Sequence, residues 1–86
     1  MDGSELPLRD RIASLIEMSS DGLVSREVAL DERSNLLEKG FSSLSFLQLI
    51  DSIETQFGVY IDLEADTKFL GRVSGIEEFL RTQNVV

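Results

Sequence analysis

Cysteine and histidine are both absent from this chain of 86 residues. Without cysteine there is no disulfide framework and no thiolate nucleophile. Without either residue there is no zinc site of the usual kind and no imidazole base, so no metal site and no catalytic residue is expected. Basic residues are also scarce: 8 lysines and arginines face 16 acids, for a formal net charge of −8. The bases (Arg9, Arg11, Arg26, Arg33, Lys39, Lys68, Arg72, Arg81) are scattered, which argues against nucleic acid or an anionic membrane as partner and favours proteins with basic docking surfaces. No apolar run is long enough for a signal peptide or a membrane span, and the expected location is the cytoplasm.

What remains is enough for one small domain over 1–86, with its core expected over about 8–80 between short flexible tails, and not for a second. At this size the stability margin is of order 5 kcal/mol, which favours a regular, economical fold. Leu8, Ile12, Leu15 and Ile16 recur on one side of a helix from about Pro7 to Met18, with the proline near the first turn, where its missing N–H costs least. Ser19-Ser20-Asp21-Gly22 ends it. From Leu23 to Phe41 the aliphatics Leu23, Val24, Val28, Leu30, Leu36 and Leu37 lack a sustained period. That stretch reads as an ordered loop pinned to the core, part of it able to form a turn of helix. Long ordered loops in small domains are more often functional than accidental.

Over Ser43 to Phe57 the pattern sharpens, with Phe46, Leu47, Leu49, Ile50, Ile53 and Phe57 on one continuous side of a helix. Ser42 is placed to cap it and Gly58 to stop it. Val59-Tyr60-Ile61 reads as an apolar connector, since a lone strand has nothing to pair with. A short third helix fits within Asp62 to Leu70, with Phe69 and Leu70 inward. Ser74-Gly75-Ile76-Glu77 fits a capping box opening a last helix whose stripe is Ile76, Phe79 and Leu80. The fold class is all-α: three main helices, one short one, and a long first connection.

Three serines cluster where the loop meets the central helix. Ser42 and Ser45 are accounted for by capping or solvation. Ser43 as a nucleophile lacks a base, since no pattern brings Lys39 or Asp51 to it. As a modification site it is well situated, because a phosphodiester at a helix N-terminus meets free N–H groups and the positive end of the dipole, worth roughly 0.3–1 kcal/mol. The face of this helix opposite the core carries Leu44, Ser45, Gln48, Asp51, Ser52 and Thr55, where Leu44 alone is apolar. A lone exposed leucine usually has no function, but beside an attachment serine it suits the centre of a docking patch. Asp62, Glu64 and Asp66 alternate like the start of a calcium loop. The match fails downstream, with Thr67 in place of the glycine and Val73 in place of the bidentate glutamate, so a solvated acidic segment is expected.

Leu36-Leu37-Glu38-Lys39-Gly40-Phe41-Ser42-Ser43-Leu44, followed by a helix ending in Ile53-Glu54-Thr55-Gln56-Phe57-Gly58-Val59-Tyr60-Ile61, resembles the acyl and peptidyl carrier protein superfamily. That family's pattern is a glycine, two residues, the modified serine and an aliphatic. The resemblance spans roughly Leu8 to Leu80. It implies a four-helix bundle of acyl-carrier type with phosphopantetheine covalently on Ser43, installed from coenzyme A by a phosphopantetheinyl transferase in a magnesium-dependent reaction. It also implies that the chain is not an enzyme: the pantetheine thiol holds the cargo as a thioester, and the arm raises its effective concentration at each docked partner. Those partners are the transferase, an acyl- or aminoacyl-loading enzyme and downstream synthases or transferases, met by a monomer through Leu44, Gln48, Asp51, Ser52 and Thr55. Carriers of this type sometimes part their helices to shelter an acyl chain, and Phe46 and Phe57 are bulky enough to fill that space.

Two departures bear on pathway. Carriers of fatty acid synthesis usually have aspartate before the serine, where this chain has Ser42, and a strongly acidic central helix, where the exposed side here has one acid at Asp51. Docking is therefore expected to be less salt-dependent than a charge-driven encounter. The reading is a discrete carrier of polyketide, nonribosomal peptide or aminoacyl-transfer chemistry, free-standing given Met1 and the short tails, with fatty acid synthesis as the alternative. A rival of another class is an unmodified helical adaptor that binds a protein through the Leu44 face.

Overall fold

A computed structural model describes residues 7–85 of the chain. Helix α1, Leu8–Ser19, is entered at Pro7 and buries Leu8, Ile12, Ala13, Ile16 and Ser19 on one side. It stops where Asp21 and Gly22 take left-handed backbone angles (φ 57° and 84°). The Ser20 hydroxyl locks this turn by accepting from the Val24 N–H at 3.0 Å. Helix α2, Arg26–Leu30, lies inside the long connection, and Ser25 caps it by accepting from the Val28 N–H. One turn of helix was all the sequence allowed for here, because five residues cannot display a period.

The connection is pinned differently from the sequence expectation. Val24, Ala29, Leu36 and Phe41 are buried, whereas Leu23, Val28 and Leu37 are exposed. Its far end is tied across the molecule by the Leu36 N–H donating to the Gly71 carbonyl at 2.9 Å. Two arginines hold the middle: Arg9 Nη2 reaches Glu32 Oε2 at 3.0 Å, and Arg72 Nη1 donates to the Glu32 carbonyl at 2.8 Å.

Helix α3, Ser43–Phe57, has the bounds read from the sequence. Gly58 ends it at φ 67°, a left-handed angle that glycine adopts without steric cost, and its N–H donates to the Glu54 carbonyl. The Glu54 carboxylate then accepts from the Ile61 N–H at 2.8 Å and turns the chain back, so Ile61 is buried while Tyr60 stays exposed. The third short helix expected within Asp62–Leu70 is a four-residue 3-10 turn, Lys68–Gly71. Ahead of it, Asp62 and Asp66 accept from the Glu64 and Lys68 N–H groups two residues on. These are turn contacts of the kind aspartate makes locally, and among the described residues no group of acids is placed to hold a metal ion.

Helix α4, Val73–Thr82, buries Val73, Ile76 and Leu80. The capping box expected at Ser74 does not form. The helix begins two residues earlier, with Arg72 at the cap and no side-chain cap bond, because burying Val73 draws that residue into the first turn. Glu77 instead pairs with Arg81 at 2.9 Å and lies 3.9 Å from Arg9 Nε. Gly75 lets α4 press onto the 3-10 turn: a Cβ there would sit 2.5 Å from the Phe69 carbonyl oxygen. Phe79 is half-buried, stacked on Phe69 with ring centroids 4.6 Å apart. α1 packs against α2, α3 and α4 and is the hub of an all-helical bundle with no strand among the described residues. One core cluster runs from Leu8 to Leu80.

Candidate functional site

The three clustered serines have different surroundings. Ser42 Oγ accepts from the Ser45 N–H at 3.1 Å and lies 3.2 Å from Ser45 Oγ, so both side chains are engaged in closing the first turn of α3. The Ser42 carbonyl takes the Phe46 N–H at 2.9 Å. The Ser43 and Leu44 N–H groups then point out of the helix end without an acceptor, as first-turn amides do. Ser43 is exposed, and its hydroxyl makes no hydrogen bond to any described residue. No acid lies in the first turn of α3. A phosphodiester at this position would meet two free amides and the positive end of a 15-residue helix, with no carboxylate of that turn opposing it.

The approach is held by packing. Gly40 takes φ 92°, a left-handed angle, and a Cβ added there would stand 3.4 Å from Leu23 Cδ2. Phe41 is buried and meets Phe46 edge-to-face at 4.7 Å between centroids. The loop therefore enters α3 with one aromatic side chain anchored on each side of the serine cluster.

Leu44, Gln48, Asp51 and Thr55 are all exposed and form one stripe at helical spacing down α3. Ser52 is half-buried, and with Gln48 and Asp51 it faces Met18 of α1 across a concavity of about 280 Å³. Leu47, expected on the inward side, is 54% exposed and extends the apolar spot begun by Leu44, which is 64% exposed. The core side of α3 is narrower than the sequence pattern, with Leu49, Ile50 and Ile53 buried and Phe46 and Phe57 only partly so. The spacing of three between the two leucines was the available signal. Met18 and Leu23, also exposed, carried none, since each sits at a helix end or in the loop.

On its other side α3 borders an open groove of about 440 Å³. Phe46 and Ile50 of α3 line it together with Leu70 and Gly71 of the 3-10 turn and Asn35 and Leu37 of the long connection. Phe46 lies one helical turn from Ser43, so a flexible arm longer than a turn, fixed at Ser43, reaches this groove.

The phosphopantetheine attachment site family matches residues 8–69 of the chain. This chain belongs to the acyl carrier superfamily. Among curated proteins it is similar to the acyl carrier protein AcpXL of Rhizobium meliloti (strain 1021), with 33% identity over 73 residues covering 83% of this chain and 75% of the relative. No solved structure matches it significantly. The prosthetic group of the family is phosphopantetheine, and the open helix end with its free amides fits the phosphate of that group. When bound, the group supplies the thiol that this cysteine-free carrier lacks. Among its described residues no helix is long and apolar enough to cross a membrane.

Proposed function

We propose that Ser43 is the attachment point and that the chain is a non-catalytic carrier, one domain over 1–86 with its core from about 8 to 80. The observation that carries the assignment is that Ser43, alone of the three serines at this helix end, has an exposed hydroxyl with no partner among the described residues. Attachment joins Ser43 Oγ to the pantetheine-side phosphorus of coenzyme A. The phosphorus–oxygen bond to adenosine bisphosphate breaks, and the serine proton passes to the transferase or to solvent. The carrier's own part is to hold that oxygen clear of Ser42 and Ser45 and to offer the free N–H groups of Ser43 and Leu44 to the phosphate.

The docking face in this reading is Leu44, Gln48, Asp51, Ser52 and Thr55, with Leu47 added as a second apolar contact. One acid in that stripe supports docking by shape and apolar burial more than by charge steering. An acyl cargo, held as a thioester and handed between cytoplasmic enzymes, agrees with the apolar groove and with the chain's similarity to an acyl carrier protein. The weak acidity of the α3 face supports a discrete carrier of polyketide or related biosynthesis over housekeeping fatty acid synthesis.

Incubation with coenzyme A, magnesium and a broad-specificity phosphopantetheinyl transferase, followed by intact-mass measurement, tests the assignment. Wild type gains the mass of the arm and Ser43→Ala does not. A gain of equal size in both moves the site to Ser42 or Ser45. No gain in wild type leaves the exposed Leu44 and Leu47 as the docking surface of an unmodified adaptor.

A further inference from the structure

The groove beside α3 has more polar chemistry than an unadorned hydrocarbon requires. Its apolar walls are Leu37, Phe46, Ile50 and Leu70, and its polar side chains are Asn35, Thr67 and Lys68. All three can donate hydrogen bonds, and no carboxylate lines the groove although acids outnumber bases two to one in the chain. Asn35 Oδ1 accepts from the Leu37 N–H at 3.0 Å, which fixes which end of the amide is oxygen. Its Nδ2 has no partner among the described residues, nor has the Thr67 hydroxyl, and Lys68 joins no ion pair among them.

Gly71 points the same way. It is buried, its backbone is not left-handed, and an added Cβ would lie 3.5 Å from Asn35 Nδ2, an ordinary contact. Neither backbone angle nor steric clash demands glycine there. Its effect is to leave the flank of the Asn35 amide open to the groove.

We propose that Asn35 Nδ2–H, supported by Thr67 and Lys68, makes this groove selective among acyl chains carried on Ser43, favouring chains bearing an acceptor oxygen, oxo- or hydroxyacyl, over saturated acyl. The proposal rests on attachment at Ser43. Asn35 is half-buried, and a donor that a saturated chain covers and leaves unpaired, but an oxygenated chain satisfies, discriminates roughly 3- to 10-fold. For a domain of this size that corresponds to a Tm about 3–10 °C higher for the oxygenated form.

The test loads the full chain enzymatically with amide-linked, non-hydrolysable octanoyl, β-oxooctanoyl and β-hydroxyoctanoyl pantetheine, each confirmed by intact mass. Thermal melts and the side-chain amide resonances of Asn35 are then compared. The expected result is a higher Tm for the oxo and hydroxy forms than for the octanoyl form, with the Asn35 Nδ2–H resonances shifted only by the oxygenated chains. Asn35→Asp keeps the acceptor for the Leu37 N–H and removes the donor, so the Tm excess disappears while the octanoyl form still melts above the unloaded chain. Gly71→Ala, which leaves that turn intact and narrows the space beside the amide, also removes the excess. Equal Tm values and unshifted Asn35 resonances for all three loaded forms overturn the cargo proposal alone. Failure of wild type to gain mass overturns the attachment reading and the cargo proposal with it.

Discussion

Replacing Ser42 with alanine separates the capping serine from the attachment serine. The Ser42 hydroxyl accepts from the Ser45 N–H at 3.1 Å and lies 3.2 Å from Ser45 Oγ. Ser42→Ala leaves the Ser45 amide without that acceptor, at a cost of about 1 kcal/mol for an N-cap of this kind. A domain of this length has a total stability of roughly 4–13 kcal/mol, and 1 kcal/mol moves its Tm by about 4–8 °C. Ser43→Ala removes a hydroxyl with no partner among the described residues and should change stability by no more than about 0.5 kcal/mol. Ser42→Asp keeps an acceptor at the cap and adds a charge that suits the helix dipole, so it melts level with wild type or up to about 1 kcal/mol above it. Circular dichroism melts and urea titrations of the unloaded chain report these differences, and unchanged m-values would show that the denatured state is unaffected. Coincident melts for Ser42→Ala and Ser43→Ala, or a lower melt for Ser43→Ala, would refute the division of labour among the serines.

Other substitutions probe the remaining surfaces. Leu44→Ala and Leu47→Ala should leave the Tm within about 3 °C of wild type, since both side chains are mostly exposed, yet slow loading by a cognate enzyme, read as a fall in kcat/KM. Loss of loading on charge reversal of Asp51 with Leu44→Ala fully active would overturn the apolar docking face. Gly75→Ala should lower the Tm although alanine favours helix by about 1 kcal/mol, because its Cβ would sit 2.5 Å from the Phe69 carbonyl oxygen; a raised Tm in the same melts would show that the contact relaxes freely. Ile53→Ala empties a fully buried position and should cost about 2–5 kcal/mol, read as a lower urea midpoint at constant m-value.

The residues by themselves determined what depends on neighbours close in the chain. Ser42 as cap, Gly58 as stop and the apolar periodicity between them specify α3 to the residue, because capping and left-handed termination are local interactions. The same locality let the sequence bring the serine cluster and Leu44 to one helix end. Local patterns failed where packing overrode them: the Ser74 capping box gave way to burial of Val73, and Leu47 turned outward because α1 and the long connection cover only part of the apolar arc of α3.

Tertiary structure alone made the groove, whose sides at Asn35 and Gly71 are brought together when the Leu36 N–H meets the Gly71 carbonyl. No spacing rule joins residues that far apart along the chain. Their meeting depends on burial of the whole core, to which every helix contributes and which no single segment encodes.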